Sequence, residues 1–591
     1  MRELTEYIKK AFDYKQDGCY KEAIDYFYKA LALDNTSTEI MGELACLYAK
    51  LHQYDRAASF YEQVLSRNPD DYQTRFEFAL MYKKNKDYIK AEEHLVILFG
   101  LQFEQVLVAE ELFDVLLKQN KYDKIIEFYN LRANFIKSSL VCYYVGKAYL
   151  EIGKNKIADE FFKQSFDIDE NNIEAGCHIA EMLFNSAMYQ ESEDLLKKLL
   201  SHSENDRIYF LFAEIDYVKG RYDSAIKNYS LAIKQNDKNA EYFFKLGVVY
   251  ALKGFLVEAE ESYVKAISIE RENLLYNYTL AYLYFMDNQI DRAKRIVEYI
   301  LLLNENYLSA LSLKLLIVLK QNDITIAKKI IEKLNEIQEK DEFSYYAICL
   351  YYSCLNLWVN AISNIEKAIF YNPKSCEYNY ELAKCYYNIK NYDKTIEICE
   401  KIISVNSKYI NSYILLAKVY YEQAKNDEAI HNVDIALKLD MNIPEAYFIK
   451  GSIYKRNNSY EKAIDCFKTA ITMAPNIAIY YASVAQTYYQ IQDYENASIF
   501  FKEVADIDVS NSEYKYYYAK CLEQLGNYEN AIANYSFAKR ISPQNVMYLI
   551  AYAELLSKMN EKQKAIKLVK SSMKFFSKEE KETLKELLKK I

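Results

Sequence analysis

Histidine and cysteine are the side chains here that could ligate a metal ion or act as nucleophiles, and their spacing supports neither role. The 591 residues contain 5 histidines and 11 cysteines, with no C-x-x-C pair and no H-E-x-x-H motif. Cys177 and His178 are adjacent, so on a helix they point to different faces and are poorly placed to share a metal or form a thiolate–imidazole pair. We therefore predict no metal site. The cysteines are typical of reduced, mostly buried thiols in a cytosol-like compartment.

The motifs that bind phosphate or carry a catalytic serine are also missing. With only 11 glycines, the chain has no G-x-x-x-x-G-K-[ST] loop, no G-x-G-x-x-G loop and no G-x-S-x-G elbow. No segment stands apart that is large enough for a catalytic domain. We predict that the protein is not an enzyme, with no catalytic residues and no cofactor.

Charge and hydropathy argue against nucleic acid and membrane as partners. The chain has 75 Lys+Arg against 84 Asp+Glu, a net charge of −9, whereas nucleic-acid binding needs a basic face. The first residues are charged and form no secretory signal. One stretch, 343–365, lacks charge but contains serines and asparagines and follows the repeat described below, so we predict no membrane insertion. The expected location is cytoplasmic.

The chain has only 11 Gly and 5 Pro, too few for the many turns of a β architecture or for linkers between domains. We therefore expect the chain to consist of helices. A 34-residue period supports this. Alanine occupies 14 of its 17 sites: Ala23, Ala57, Ala91, Ala158, Ala225, Ala259, Ala293, Ala327, Ala361, Ala429, Ala463, Ala497, Ala531 and Ala565. A second column of small residues lies twelve residues earlier, and a tyrosine column follows it by three. Spacings of three and four place these residues on one helical face, which predicts pairs of closely packed helices.

This pattern resembles the tetratricopeptide repeat (TPR) family, whose 34-residue unit is a helix–turn–helix. The segment 451–475 shows it well, with Gly451, Tyr454, Ala463, Phe467 and Pro475 at the family's positions. The resemblance covers residues 4–579 as about 17 units, with weaker units at 106–138 and 308–341. A capping-box pattern and a charged helix at 580–591 are expected to close the array. The implied fold is all-α, an α-α superhelix or solenoid whose first helices line a concave wall.

On that wall we predict a peptide-binding groove made of aromatic residues and lysines. Tyrosine gives contact area and a polar tip at low entropy cost. The aromatic groove residues are Tyr143, Phe210, Tyr217, Phe244, Tyr278, Tyr282, Tyr346, Tyr380, Tyr387, Tyr421, Phe448, Tyr489 and Tyr516. The lysines are Lys384, Lys418, Lys455 and Lys520, which favour acidic peptide segments in the C-terminal half. The alternative, that neighbouring first helices bury these rings against one another, stays open.

The resemblance implies a non-catalytic scaffold or adaptor that binds peptide segments or helices of other proteins. Its main alternative is a regulatory or substrate-recruiting subunit of a separate enzyme, such as a glycosyltransferase or envelope-assembly complex. A nucleic-acid-binding pentatricopeptide array is disfavoured by the period and the acidic balance. Self-association is left open.

Overall fold

A computed structural model describes residues 2–591, which contain 35 α-helices, one short 3-10 helix and no β-strand. The all-α solenoid class is confirmed. The chain divides into two compact units, one ending at Ile296 and the other beginning at Val297. The N-terminal unit contains α1 (Arg2–Gln16), α2 (Tyr20–Leu33), α3 (Thr38–Lys50), α4 (Tyr54–Arg67), α5 (Tyr72–Lys84), α6 (Tyr88–Gly100), α7 (Gln105–Lys118), α8 (Tyr122–Arg132), α9 (Ser139–Glu151), α10 (Asn155–Ile168), α11 (Ile173–Asn185), α12 (Tyr189–Leu200), α13 (Asp206–Val218), α14 (Tyr222–Gln235), α15 (Ala240–Leu252), α16 (Leu256–Ile269) and α17 (Leu274–Met286).

The division falls within α18 (Ile290–Leu303). The C-terminal unit then contains α19 (Leu308–Lys320), α20 (Ile324–Glu336), α21 (Glu342–Cys354), α22 (Trp358–Tyr371), α23 (Cys376–Asn388), α24 (Tyr392–Val405), α25 (Ile410–Glu422), α26 (Asn426–Leu439), α27 (Pro444–Arg456), α28 (Tyr460–Met473), α29 (Ala478–Gln490), α30 (Tyr494–Ile507), α31 (Ser512–Gln524), α32 (Tyr528–Ile541), α33 (Val546–Lys558), α34 (Lys562–Ser572), the 3-10 helix Met573–Phe575 and α35 (Lys578–Lys590). The helices from α1 to α34 alternate as first and second helices of the repeat. The stretch 343–365 is split between α21 and α22, and no helix within residues 2–591 is long and apolar enough to cross a membrane.

The alanine column lies where the two helices of each repeat meet. All fourteen alanines are 0% exposed, as are Ile125, Ser192 and Thr395, which occupy the other three sites. A small side chain lets helices approach closely, so the period recognised in the sequence is a packing requirement. The prediction that this column forms the core of each hairpin is confirmed.

The turn between the two helices repeats one backbone conformation. Gly18, Gly153, Gly220, Gly254 and Gly526 have φ between 71° and 80°, as expected for left-handed residues that end a helix. Twelve other repeats place a residue other than glycine in the same conformation, among them Ala424 and Lys390 at φ 58° and 62°. The geometry of the hairpin therefore overrides residue preference at this position.

The capping box at the start of α35 is confirmed. The backbone N–H of Glu580 donates to Ser577 Oγ at 3.4 Å, and the backbone N–H of Ser577 donates to Glu580 Oε2 at 2.9 Å. The helix begins at Lys578, two residues before the expected boundary. It buries Leu584 and Leu587 in a cluster with Leu549 and other apolar residues of α33 and α34. These contacts cover the apolar face of the last repeat.

Candidate functional site

All seventeen predicted groove residues lie on first helices. They belong to α9, α13, α15, α17, α21, α23, α25, α27, α29 and α31. Sixteen of them are half-buried, and only Tyr516, at 6% exposure, is buried. The chain thus places the predicted side chains on one recurring element of the repeat, and all of them except Tyr516 are partly exposed to solvent. Peptide binding by these residues remains a prediction.

Many of the rings pack against the next first helix of the same unit. Phe244 and Tyr276 stack with centroids 4.6 Å apart, and Phe210 stacks on Tyr242 at 4.9 Å. The same 32-residue separation recurs in the pairs Tyr346–Tyr378, Phe448–Tyr480 and Tyr516–Tyr548, at 5.2, 5.2 and 4.7 Å. One side of each of these rings therefore stabilises the stack of repeats. The partner tyrosines were missed in the sequence analysis, although they form a column two residues before the groove column.

Two adjoining cavities open along α23, α25, α27 and α29. The first, which we call the apolar cavity, has a volume of about 290 Å³. It is lined by Tyr387, Lys418, Tyr421, Glu422, Glu445, Phe448, Ile449 and Ser452. The structure therefore brings together four predicted groove residues from three successive repeats. Its charged rim is partly neutralised, because Lys418 Nζ lies 2.6 Å from Glu445 Oε1.

The second cavity, which we call the cationic cavity, has a volume of about 330 Å³ and shares Tyr421 and Ser452 with the first. Its lining is Tyr421, Ser452, Lys455, Arg456, Asn458, Tyr460, Phe467, Ser483 and Gln490. The lining includes two cations and no carboxylate. Hydroxyl and amide groups around them supply further hydrogen-bonding positions.

The predicted lysines differ in how far their charge is already balanced. Lys384 Nζ lies 2.9 Å from Glu381 Oε2, and Lys418 is paired as described above. Lys520 lies over the Tyr516 ring at 5.2 Å. Lys455 donates to Gln486 Oε1 at 3.4 Å but has no acidic partner in the described part of the chain, and burial lowers the pKa of its ammonium group. Lys455 is thus the one predicted lysine lining the two cavities that has no carboxylate partner within residues 2–591.

The N-terminal unit contains a related cavity of about 280 Å³, the His178 cavity. Most of the side chains that line this cavity are polar or charged. Its lining is Leu150, Asn155, Asp159, Phe162, His178, Glu181, Met182, Asn185 and Ser186. No groove residue predicted from the sequence lines it. A polar signal was available in Asp159 of α10 and in His178 and Glu181 of α11, which line the cavity.

His178 is held in one protonation state by its surroundings. Its ring stacks on Phe162 with centroids 4.2 Å apart, and 8% of its side chain is exposed. Arg207 Nη2 lies 3.0 Å from His178 Nδ1. Because a guanidinium only donates, Nδ1 accepts and the proton of the neutral ring is on Nε2. Burial, then the positive charges of Arg207 and Lys147, lower the pKa of His178 to about 3.

The side chains on this face can make apolar contacts and hydrogen bonds. Within residues 2–591 no group of three or more His, Cys, Asp or Glu side chains is arranged to hold a metal ion. Burial raises the pKa of Tyr380 and Tyr387, so both hydroxyls are neutral at physiological pH and available as donors. Aromatic faces, neutral hydroxyls and two unbalanced cations suit polypeptide recognition.

The repeats match known families over several segments. A model described as tetratricopeptide repeat matches residues 15–74, another matches 414–478, and one described as TPR repeat matches 213–254. A model for subunit 3 of the anaphase-promoting complex, or cyclosome, matches 354–436 and 457–538.

Relatives of known name align over parts of the chain. A TPR repeat-containing protein of Methanocaldococcus jannaschii is 22% identical over 307 residues, which are 42% of this chain and 53% of that protein. The chain thus spans about half the length of this relative. The 131 kDa subunit of Saccharomyces cerevisiae transcription factor tau is 33% identical over 88 residues, covering 15% of this chain and 9% of that subunit. Among solved structures, the APC/C hetero-tetramer Cut9-Hcn1 aligns at 17% identity with a TM-score of 0.40, over 87% of this chain and 96% of that one.

The period, the helix pairs that follow it and the repeat models agree along both units. The chain is a tetratricopeptide-repeat protein.

Proposed function

We propose that the protein is a non-catalytic scaffold or adaptor that binds segments of other proteins along its first helices, chiefly over α23–α29. The observation that carries this proposal is the apolar cavity lined by Tyr387, Tyr421 and Phe448, together with the cationic cavity that adjoins it at Tyr421. Pockets with aromatic walls and a few polar groups are typical of anchor sites for side chains of a partner. The half-buried rings are held by neighbouring repeats, so little side-chain entropy is lost on binding.

The partner expected in the C-terminal unit is a peptide or helical segment rich in acidic residues. Three of the four predicted groove lysines, Lys384, Lys418 and Lys455, lie on α23–α27, and Arg456 follows Lys455 on α27. A reducing, cytoplasmic setting fits the six buried cysteine thiols. We propose that this chain acts within assemblies of proteins. Its likeness to relatives with TPR repeats supports this proposal.

The proposal is tested by affinity capture from lysate of the native organism with a matched control. In the test variant, Tyr387→Ala and Tyr421→Ala remove two walls of the apolar cavity. In the control, Tyr371→Ala removes an exposed tyrosine of α22 that lines neither cavity. We expect a partner that wild type and control retain and the test variant loses, with unchanged circular dichroism. Equal retention by all three proteins would show that these rings serve packing alone.

A further inference from the structure

The two adjoining cavities differ in whether their positive charge is balanced by a carboxylate. In the apolar cavity, the charge of Lys418 is balanced by Glu445 at 2.6 Å. In the cationic cavity, Lys455 and Arg456 form no ion pair with any residue in the range 2–591 that is described. Lys455 is half-buried, whereas Arg456 is exposed. Positive charge at Lys455 that is partly withdrawn from water without a counter-charge is costly, and a bound anion reduces that cost. Burial accordingly lowers the pKa of Lys455.

Arg456 is already fixed in position. Its guanidinium carbon lies 3.5 Å from the centroid of the Tyr421 ring, and Nη1 donates to the Tyr421 carbonyl oxygen. A guanidinium has five N–H donors, so others are left for a ligand. Stacking on a ring that also lines the apolar cavity joins the two cavities into one surface. The cation therefore needs little ordering when an anion binds.

The packing of the repeat does not itself demand these cations. The His178 cavity occupies the same register in the N-terminal unit. Lys455 and Leu150 are both the twelfth residue of their helices, α27 and α9, and the next residues are Arg456 and Glu151. Phe467 and Phe162, the eighth residues of α28 and α10, line the respective cavities. The same framework thus forms with an apolar and an acidic residue where the C-terminal unit has two cations.

We propose that the C-terminal unit binds an extended peptide by two features at a fixed spacing. An apolar side chain enters the apolar cavity, and an anionic group about three residues away, a carboxylate or a phosphoryl group, is held by Lys455 and Arg456. The first helices that line the apolar cavity are α23, α25 and α27, and those that line the cationic cavity are α25, α27 and α29, a displacement of one first helix. Packed helices are about 8–10 Å apart. An extended chain advances about 3.3 Å per residue, so roughly three residues join the two features. This inference rests on the proposed function and specifies its ligand.

The test uses the full chain and an array of nonapeptides. Each peptide carries Phe, Leu or Met as anchor and, one to five positions later, Asp, phosphoserine or the neutral Asn. We expect binding to peak at a separation of three, with the anionic peptides about tenfold tighter than the Asn peptides at low salt and less so at high salt. The relative affinities of the Asp and phosphoserine peptides identify which anion the cavity prefers.

Two variants assign the effect to specific side chains. Lys455→Met with Arg456→Gln should abolish the preference for anionic peptides while leaving the Asn peptides bound as before. Lys450→Met with Asp434→Asn, which removes an ion pair of α27 and α26 that lines neither cavity, should keep that preference. Circular dichroism and urea unfolding show that each variant is folded.

The outcomes separate this inference from the proposed function. Peptides that bind without regard to charge or spacing would overturn the inference and leave the groove proposal standing. Equal loss of Asp and Asn peptides in the Lys455/Arg456 variant would overturn it as well. No binding by any peptide, together with retention of the same lysate partner by wild type and the Tyr387/Tyr421 variant, would overturn both.

Discussion

A Cβ atom added to Gly451 would lie 2.7 Å from Cδ1 of the Phe467 ring. The two residues belong to the first and second helices of one repeat, α27 and α28, and Phe467 is 1% exposed. Gly146 and Gly247 meet Phe162 and Tyr263 in the same way, at 2.8 and 2.7 Å. In these repeats the ring occupies the space that alanine fills in others.

Gly451→Ala should therefore destabilise the C-terminal unit, by about 1–2 kcal/mol after the better helix propensity of alanine is subtracted. Gly42→Ala is the matched control. Gly42 is also inside a helix, but nothing lies within 4 Å of its added Cβ, so this change should stabilise by about 0.5–1 kcal/mol. Urea unfolding measures both. Shifts of the same sign would contradict the close packing of Gly451.

The left-handed turns allow two opposite substitutions to be compared at the same position of the repeat. Ala424 has φ 58° and Gly526 has φ 76° at the same position of two repeats. Left-handed backbone disfavours a Cβ, so Ala424→Gly should stabilise and Gly526→Ala should destabilise, each by about 1 kcal/mol. The midpoints of urea unfolding should move in opposite directions. No change at both positions would show that the hairpin turn tolerates a Cβ without strain.

His178 should make stability depend on pH. Its pKa is about 3 in the folded chain, where burial and Arg207 disfavour the charged ring, against about 6.5 when unfolded. The unfolded chain therefore binds more protons below pH 6.5, and stability falls as the pH is lowered toward 3. Between pH 7.5 and 5.0 the loss due to His178 is roughly 2 kcal/mol.

The measurement compares urea unfolding of wild type and His178→Gln at several pH values. The contribution of His94, whose pKa burial lowers to about 4, is present in both proteins and cancels in the difference. We expect the gap between the two proteins to change by roughly 2 kcal/mol from pH 7.5 to 5.0. Parallel profiles would mean that folding leaves the pKa of His178 unchanged, which would contradict its burial beside Arg207 as the cause of a lowered pKa.

The two weaker repeats should differ in local stability. The sequence predicts that both 106–138 and 308–341 open first, but the structure gives them different cores. In α8 only Ile125 is buried, whereas α19 buries eight residues and α20 buries four. Local opening follows the number of buried apolar contacts. In mild urea, hydrogen exchange in 122–132 should be faster than in 324–336, and equal protection would refute this order.

A further variant tests what holds α8 in place. Glu92 of α6 accepts from Lys121 at 2.5 Å and from Lys124 at 2.7 Å, and Gln119 also donates to it at 2.9 Å. The carboxylate is nearly buried, so it links α6 to the start of α8 in a setting where ion pairs count. Glu92→Gln should speed exchange in 122–132 and leave 324–336 unchanged.

The sequence alone determined the repeat, its length and the residues at the helix crossing. The period is visible in the sequence because every repeat needs a small residue where its two helices cross. Alanines such as Ala23 and Ala463 recur every 34 residues for this reason. The left-handed turns at Gly18 and Gly526 and the capping box at Ser577 follow from local chemistry. The first-helix placement of the groove residues follows from the same register.

Only the tertiary structure decided which of those residues share a cavity and which charges are already balanced. Lys418 and Lys455 occupy neighbouring first helices and are both lysines in sequence, but Glu445 neutralises one and no carboxylate approaches the other within the described chain. Phe244 and Tyr276 stack across two repeats, which depends on the rotation between successive hairpins. Such contacts join residues about one repeat apart in the sequence. The period predicts which positions of successive repeats correspond, but it does not predict how far apart their side chains lie.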